Sequence, residues 1–268
     1  NVVRMISKAK DGDIYVSTRA GWLYRYSSDM TYIKYKKHFD SNVYSIKETS
    51  DGNTWIGTRG KGIYCIEGLT FKDRNVFCME TDRKGRMWIG TYGDGVSIVW
   101  KQNKIYNIRN IFCDSVGTNE VRCIKKDTNG WIWMGTTGGL IVFNPDKLIT
   151  NTSAYYSYKK GYEIHDIMID NKNQVWLTLP GEGICMTNFS KGYDNLKFRQ
   201  YNQSNGLINN MTQSIIEDKN GNYWISTQMG VSCLNYKKKT IDNYYLDPNQ
   251  MGNVYNENSA VCLNDGRI

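Results

Sequence analysis

One phrase recurs along this chain and limits what it can become. It is a Gly-bearing turn, two residues, an aromatic, an apolar residue, a small residue and Thr. It appears as Asp11-Gly12-Asp13-Ile14-Tyr15-Val16-Ser17-Thr18 and as Asp51-Gly52-Asn53-Thr54-Trp55-Ile56-Gly57-Thr58. It returns as Lys84-Gly85-Arg86-Met87-Trp88-Ile89-Gly90-Thr91, as Asn129 to Thr136 around Trp133, and as Asn220 to Thr227 around Trp224. A degenerate copy around Trp176 lacks the glycine, and a last copy begins at Asn264-Asp265-Gly266. The aromatic anchors Tyr15, Trp55, Trp88, Trp133, Trp176 and Trp224 are 40, 33, 45, 43 and 48 residues apart. That period, with several short strands per unit and no helical periodicity, predicts propeller blades.

Each repeat reads as four strands. An inner strand such as Val43-Tyr44-Ser45-Ile46-Lys47 leads into an Asp-Gly or Asn-Gly turn, whose central residues favour positive φ. The second strand carries the anchor. The third follows a Gly-containing loop, as in Gly62-Ile63-Tyr64-Cys65, and the outer strand is polar and Tyr-rich, as in Thr240 to Tyr245. A sheet of this kind buries its faces only by stacking on its neighbours. The expectation is an all-β, seven-bladed β-propeller with four-stranded antiparallel blades and a truncated last blade, filling residues 1–268 as one domain. Inner strands are expected near Val3, Val43, Val76, Val121, Ile164, Thr212 and Glu257, the last standing alone for its blade.

Composition narrows the classes. With 13% aromatic residues, 20 Tyr and 8 Trp among 268, the chain can build a substantial core and is not of the disordered type. No apolar stretch is long enough to span a membrane, and the first ten residues show no signal peptide. The net charge of +8 admits nucleic acid, a membrane surface or an acidic ligand as partner. No nucleic-acid motif accompanies it, so no nucleic-acid partner is expected. The dense runs Lys34-Tyr35-Lys36-Lys37 and Lys237-Lys238-Lys239 fall on strand-like segments, where lysines guard exposed edges. The 7 Cys show no metal-ligand spacing. Cys78 and Cys123 precede their anchors by ten residues, and Cys65 and Cys233 follow a third-strand glycine by three, which marks them as packed thiols. No metal, cofactor or catalytic residue is expected.

The inner strands nominate a ligand surface. Eleven residues before each anchor stand Arg4, Tyr44, Phe77, Arg122, His165 and Gln213, with Asn258 in the last copy. The residue before each is mostly Val or Ile. Packing would hold a residue type constant, whereas contact with a ligand lets it vary. Loops at the same end add Arg19, Arg59, Tyr92, Asp94, Thr137, Glu182 and Gln228. Aromatic faces stack on sugar rings, and Arg and amides bind hydroxyls and carboxylates. The set Arg4, Arg19, Tyr44, Arg59, Phe77, Tyr92, Arg122, His165, Gln213 and Gln228 is therefore expected to bind an oligosaccharide, with the arginines favouring an acidic one. His38, on a basic outer strand, is expected to be solvated. Two other classes fit a propeller. One is an enzyme, in which His165 would act as base. The other is a protein-interaction surface, which would present a broad apolar patch.

The segments Thr81 to Val99 and Glu217 to Tyr236, with the phrase Asn205 to Ile215 between blades, resemble the two-component regulator propeller repeats of Bacteroides-type hybrid two-component sensors. The stretch Asn253 to Ile268 looks like the last blade before that family's β-sandwich. The resemblance implies a periplasmic part of an inner-membrane protein, excised from a sensor with two propellers. Its partners would be the neighbouring propeller, the β-sandwich and, in the full receptor, a second copy. A histidine kinase outside this chain would take the signal, so the chain itself would be no enzyme. Propellers of similar repeat type also include streptogramin-lyase-like enzymes.

Overall fold

The repeated turns set the path of the chain. Gly12, Gly52, Gly85, Gly130 and Gly221 all take positive φ, which an L side chain resists. In the fifth copy, which lacks the glycine, Asn173 takes that conformation at φ 61. The computed structural model describes residues 2–50, 52–65, 70–71, 74–102, 105–111, 118–147, 155–245, 255 and 260–268.

Blade 1 consists of β1 (Val3–Lys8), β2 (Ile14–Thr18), β3 (Trp22–Tyr26) and β4 (Ile33–His38). Blade 2 consists of β5 (Val43–Glu48), β6 (Thr54–Thr58), β7 (Gly62–Cys65) and β8 (Thr70–Phe71). Blade 3 consists of β9 (Val76–Thr81), β10 (Met87–Thr91), β11 (Val96–Gln102) and β12 (Ile105–Ile111). Blade 4 consists of β13 (Val121–Lys126), β14 (Ile132–Thr136), β15 (Gly139–Phe143) and β16 (Tyr155–Tyr158). Blade 5 consists of β17 (Asp166–Ile169), β18 (Gln174–Leu179), β19 (Gly183–Asn188) and β20 (Arg199–Tyr201). Blade 6 consists of β21 (Thr212–Glu217), β22 (Asn222–Thr227), β23 (Gly230–Asn235) and β24 (Thr240–Tyr245). Each blade is an antiparallel sheet with its strands in chain order, and the inner strands β1, β5, β9, β13, β17 and β21 touch in series.

The core lies between blades. Trp88 packs with Ile98 of its own blade against Val121, Ile132 and Phe143 of blade 4. Trp133 meets Ile164, Val175 and Leu177 of blade 5 in the same way, and Trp176 meets Ile215, Tyr223 and Ile225 of blade 6. The small residue of the repeat is what lets blades approach. A Cβ on Gly135 would lie 2.5 Å from Cys123 Sγ and 2.7 Å from Ile164 Cγ2 of the next blade. Cys65, Cys78, Cys123, Cys185 and Cys233 are buried thiols, and Cys262 is half-buried. Cys113 lies outside the described residues.

A carboxylate six residues before the anchor was not read from the sequence. Asp82, Asp127, Asp170 and Asp218 each accept the indole N–H of their own Trp, at 2.9, 2.8, 3.1 and 3.0 Å. The other oxygen accepts amides of the hairpin turn, as when Lys172 and Gln174 donate to Asp170 Oδ1 at 2.8 Å. Blades are tied through the same groups. Tyr193 of blade 5 donates to Asp127 Oδ2 at 2.8 Å, and Tyr223 of blade 6 donates to Asp170 Oδ2 at 2.7 Å.

The expectation of a seven-bladed ring is corrected: the described residues form six sheets. After Tyr245 they contain no strand. Residues 260–268 make a turn closed by Leu263 N–H to Arg267 O at 2.8 Å, and no second strand pairs with it. An inner strand exists by virtue of such pairing. The start expected at Glu257, and Asn258 with it, lie outside the described residues. Residues 260–268 still join the two ends of the array. Val261 and Leu263 cover Ile14 and Val16 of blade 1, while Lys219 of blade 6 donates to the Asn264 carbonyl. Trp224, with no complete blade against it among the described residues, is half-buried and stacks on Tyr244, whereas the other anchors are buried.

Candidate functional site

At the end of the array where the inner strands begin, their pairing with the second strands slips by one residue. Val3 faces Thr18 but Met5 faces Ser17, so Arg4 is an extra residue in a β-bulge. The same slip sets off Tyr44 between Val43 and Ser45, Phe77 between Val76 and Cys78, Arg122 between Val121 and Cys123, and Gln213 between Thr212 and Ser214. A bulge leaves its extra residue out of the ladder and re-aims its side chain. The repeated apolar residue before it stays in the core. In blade 5, His165 holds the corresponding place just before β17, and its N–H donates to Thr178 O at 3.1 Å.

Five of these side chains line one cavity of about 580 Å³: Arg4, Tyr44, Phe77, Arg122 and Gln213. Arg19, Arg59 and Tyr92 reach it from the loops, so eight of the ten sequence-predicted residues share it. His165 and Gln228 do not belong to its lining. Gln228 is exposed in the blade 6 loop. Of the other loop residues, Asp94 is exposed, Thr137 bonds Thr118 at 2.9 Å and Glu182 accepts from Gln200 at 3.1 Å. His38 is exposed on β4, edge-on to Trp22, as expected.

The rings form a continuous run. The Arg4 guanidinium stands 3.9 Å over the Tyr44 ring. Tyr44 and Phe77 are 4.6 Å apart, and Phe77 stacks on Tyr92 at 5.5 Å. Arg122 lies 5.6 and 5.7 Å over Phe77 and Tyr92. From Arg122 the run continues through polar groups. Arg122 Nη2 meets Glu163 Oε1 at 2.8 Å, and His165 Nε2 meets the same oxygen at 3.1 Å. His165 Nδ1 lies 3.0 Å from Gln213 Oε1. The His165 bond holds the Glu163 carboxyl below its ordinary value against the opposing pull of burial, with the Arg122 charge assisting.

Glu163, Asn42 and Asn75 were missed. Asn42 and Asn75 also line the cavity. Period-two alternation was the available signal, since each stands on the far side of the same apolar residue as its bulge neighbour. The lining as a whole offers four arginines, three aromatics and three amides, and no carboxylate. Such a surface can stack rings, bind hydroxyls and hold an anion.

A narrower channel of about 260 Å³ continues along the axis. There Lys47 pairs with Glu80 at 2.5 Å. Asp166 is buried and accepts from Ser214 Oγ at 2.7 Å and Ile215 N at 3.2 Å, and burial pushes its carboxyl above the ordinary value.

Fold and repeat together define a class, the β-propeller, and its repeats are similar to those of the two-component regulator type. The family model described as "Two component regulator propeller" matches residues 38–60, 70–93, 115–138 and 206–229, and the chain therefore carries those repeats. It is similar to the extracellular domain of the hybrid two component system BT3049 from B. thetaiotaomicron, with a TM-score of 0.79 and 25% identity over 99% of this chain and 37% of that one. It is 24% identical to "Histidine kinase P4" of Formosa agariphila over 99% of this chain. The chain spans 21% of that relative's length. An inactive virginiamycin B lyase from Staphylococcus aureus shares the fold, with a TM-score of 0.70 and 12% identity over 92% of this chain and 85% of that one.

Proposed function

We propose that this propeller is the extracytoplasmic ligand-recognition unit of a hybrid two-component signalling protein, and that its cavity takes an oligosaccharide carrying an acidic group. The observation behind this is the bulge, repeated in five blades, that turns Arg4, Tyr44, Phe77, Arg122 and Gln213 into one cavity. A feature that served packing alone would keep one residue type. The rings of Tyr44, Phe77 and Tyr92 offer stacking faces, and Arg4, Arg19, Arg59 and Arg122 supply positive charge. Likeness to the extracellular domain of a hybrid two-component system supports the sensor role. The unit would stand in the periplasm, against a neighbouring propeller and a β-sandwich, in a receptor that pairs with a second copy. The histidine kinase lies elsewhere in the protein, and this unit performs no catalysis. Signalling follows when the ligand prefers one arrangement of these units over another.

The lyase reading would need a histidine placed to take a proton from the ligand. His165 instead directs both ring nitrogens to neighbours, Gln213 and Glu163.

The test is calorimetric titration of the chain with matched neutral and uronate-bearing oligosaccharides. One charge-assisted hydrogen bond contributes about 1.5 to 3 kcal/mol, so Arg122→Ala lowers affinity for the acidic member roughly 10- to 100-fold. Tyr44→Ala weakens both members. Unchanged affinity in both variants, with the fold intact, refutes this face as the recognition site.

A further inference from the structure

The opposite end of the array holds a larger groove, of about 830 Å³, at the turns of blades 2 and 3. We infer that this groove is a second binding site, for an anionic oligosaccharide. The six residues of β9 separate the two faces by about 20 Å along the axis. The inference stands apart from the assignment of the first cavity.

The floor is apolar and aromatic. Trp55, Met87 and Val99 are buried there, and Trp100 and Tyr106 are half-buried beside them. Most of it comes from β6, β10 and β11, which are interior strands whose ladder groups are paired on both sides. An extended acidic peptide would seek a free strand edge, whereas a sugar ring needs a flat side chain.

The walls are cationic. Both carboxylates of the lining are engaged within the protein. Glu48 accepts from Tyr15 at 2.9 Å and from the Lys10 amide at 2.9 Å. Asp82 accepts from Arg86 Nε at 2.5 Å and from the Trp88 indole at 2.9 Å. Lys10 and Arg83 bond the backbone carbonyls of Thr49 and Thr128, which do not neutralise them. Lys126 lines the groove, and Lys101 stands 5.4 Å over the Tyr106 ring. A cation beside a half-exposed ring offers stacking to a sugar and charge to its carboxylate or sulfate together.

The experiment uses the whole chain and a pentameric oligogalacturonate, titrated by calorimetry with tryptophan emission followed in parallel. Lys101→Gln/Lys126→Gln removes one exposed and one half-buried charge, neither of them part of the apolar core. The expected result is a loss of one bound equivalent, or at least a tenfold weakening of it, while binding sensitive to Arg59→Gln is untouched. Trp100→Phe is expected to keep the affinity and abolish part of the emission change. Unchanged stoichiometry and affinity in the double variant overturn the site. Tighter binding of a glutamate decapeptide than of the oligogalacturonate overturns the ligand class.

Discussion

Replacing Gly90 by alanine tests how blades 3 and 4 meet. A Cβ at this position would lie 2.4 Å from Cys78 Sγ, 2.8 Å from Val121 Cγ1 and 3.2 Å from Ile124 Cδ1. Favourable contacts between such atoms begin near 3.5 Å, so the sulfur must retreat by about 1 Å. Cys78 belongs to the inner strand of the same blade and Val121 to that of the next, so the methyl group is wedged from two sides. Overpacking of this kind costs about 1 to 3 kcal/mol, and the upper half of that range applies because neither neighbour is the end of a flexible side chain. With a urea slope of about 3 kcal/mol per molar, the unfolding midpoint followed by tryptophan emission drops by roughly 0.7 to 1 M. Cys78→Ala removes the closest atom, and in the double variant the new methyl occupies part of the space the sulfur leaves. The double variant is therefore more stable than the two single effects predict, by about 1 to 2 kcal/mol. Gly85→Ala is the comparison. It sits at φ +74 with nothing within 4 Å of its Cβ position, so it costs about 1 to 2 kcal/mol through the backbone alone and shows no coupling to Cys78. A Gly90→Ala variant within 0.5 kcal/mol of the parent on this scale, or strict additivity with Cys78→Ala, would refute the reasoning.

Trp88→Ala, which empties a fully buried site and removes the indole bond to Asp82, is expected to cost about 3 to 5 kcal/mol; Trp224→Ala, at a half-buried anchor, costs less than half as much, and equal urea midpoints would contradict this. At high pH, burial and the Glu48 hydrogen bond push the Tyr15 hydroxyl up to about 12 from its ordinary 10.0. The folded chain holds that proton longer than the unfolded chain, so the stability tied to it is whole below pH 10 and is lost as pH rises toward 12. Stability curves of the parent and of Tyr15→Phe, measured by urea unfolding, therefore converge across that window, and parallel curves would count against the shift.

The anchors and inner strands were legible because the repeat wrote them six times. Val3, Val43, Val76, Val121 and Thr212 begin strands where the phrase places them. Blade 5 departs. Its ladder starts at Asp166 rather than Ile164, and the Ile164 N–H is given instead to Thr136 O of blade 4. The bulges themselves were invisible, since no glycine or proline marks them. Pairing register is a relation between two strands, and each strand alone reads as regular. Even so, the side chains they aim were found, because variation beside a constant apolar residue is visible without knowing the register. Glu163 escaped for a related reason. It stands outside the strand, and only the fold shows that Arg122 and His165 converge on it. The number of blades was misjudged because the last turn repeats the phrase, whereas the described residues after Tyr245 form no strand.

Two of the tyrosine bonds between blades reach from a later blade back to a carboxylate of the one before, and this bears on how the chain matures. Asp127 of blade 4 waits for Tyr193, and Asp170 of blade 5 waits for Tyr223, each contributed by the blade that follows. A ribosome or a secretion channel delivers the chain from its N-terminal side, so blades 4 and 5 each emerge with a carboxylate still wet on one side and are completed only by their successors. Asp218 of blade 6 is held differently among the described residues. Its second oxygen takes Asn222 Nδ2 at 2.9 Å and the Trp224 indole at 3.0 Å, both from its own hairpin. Nascent chains halted after blade 4 should therefore be cut by protease near Asp127, and chains halted after blade 5 should be protected there.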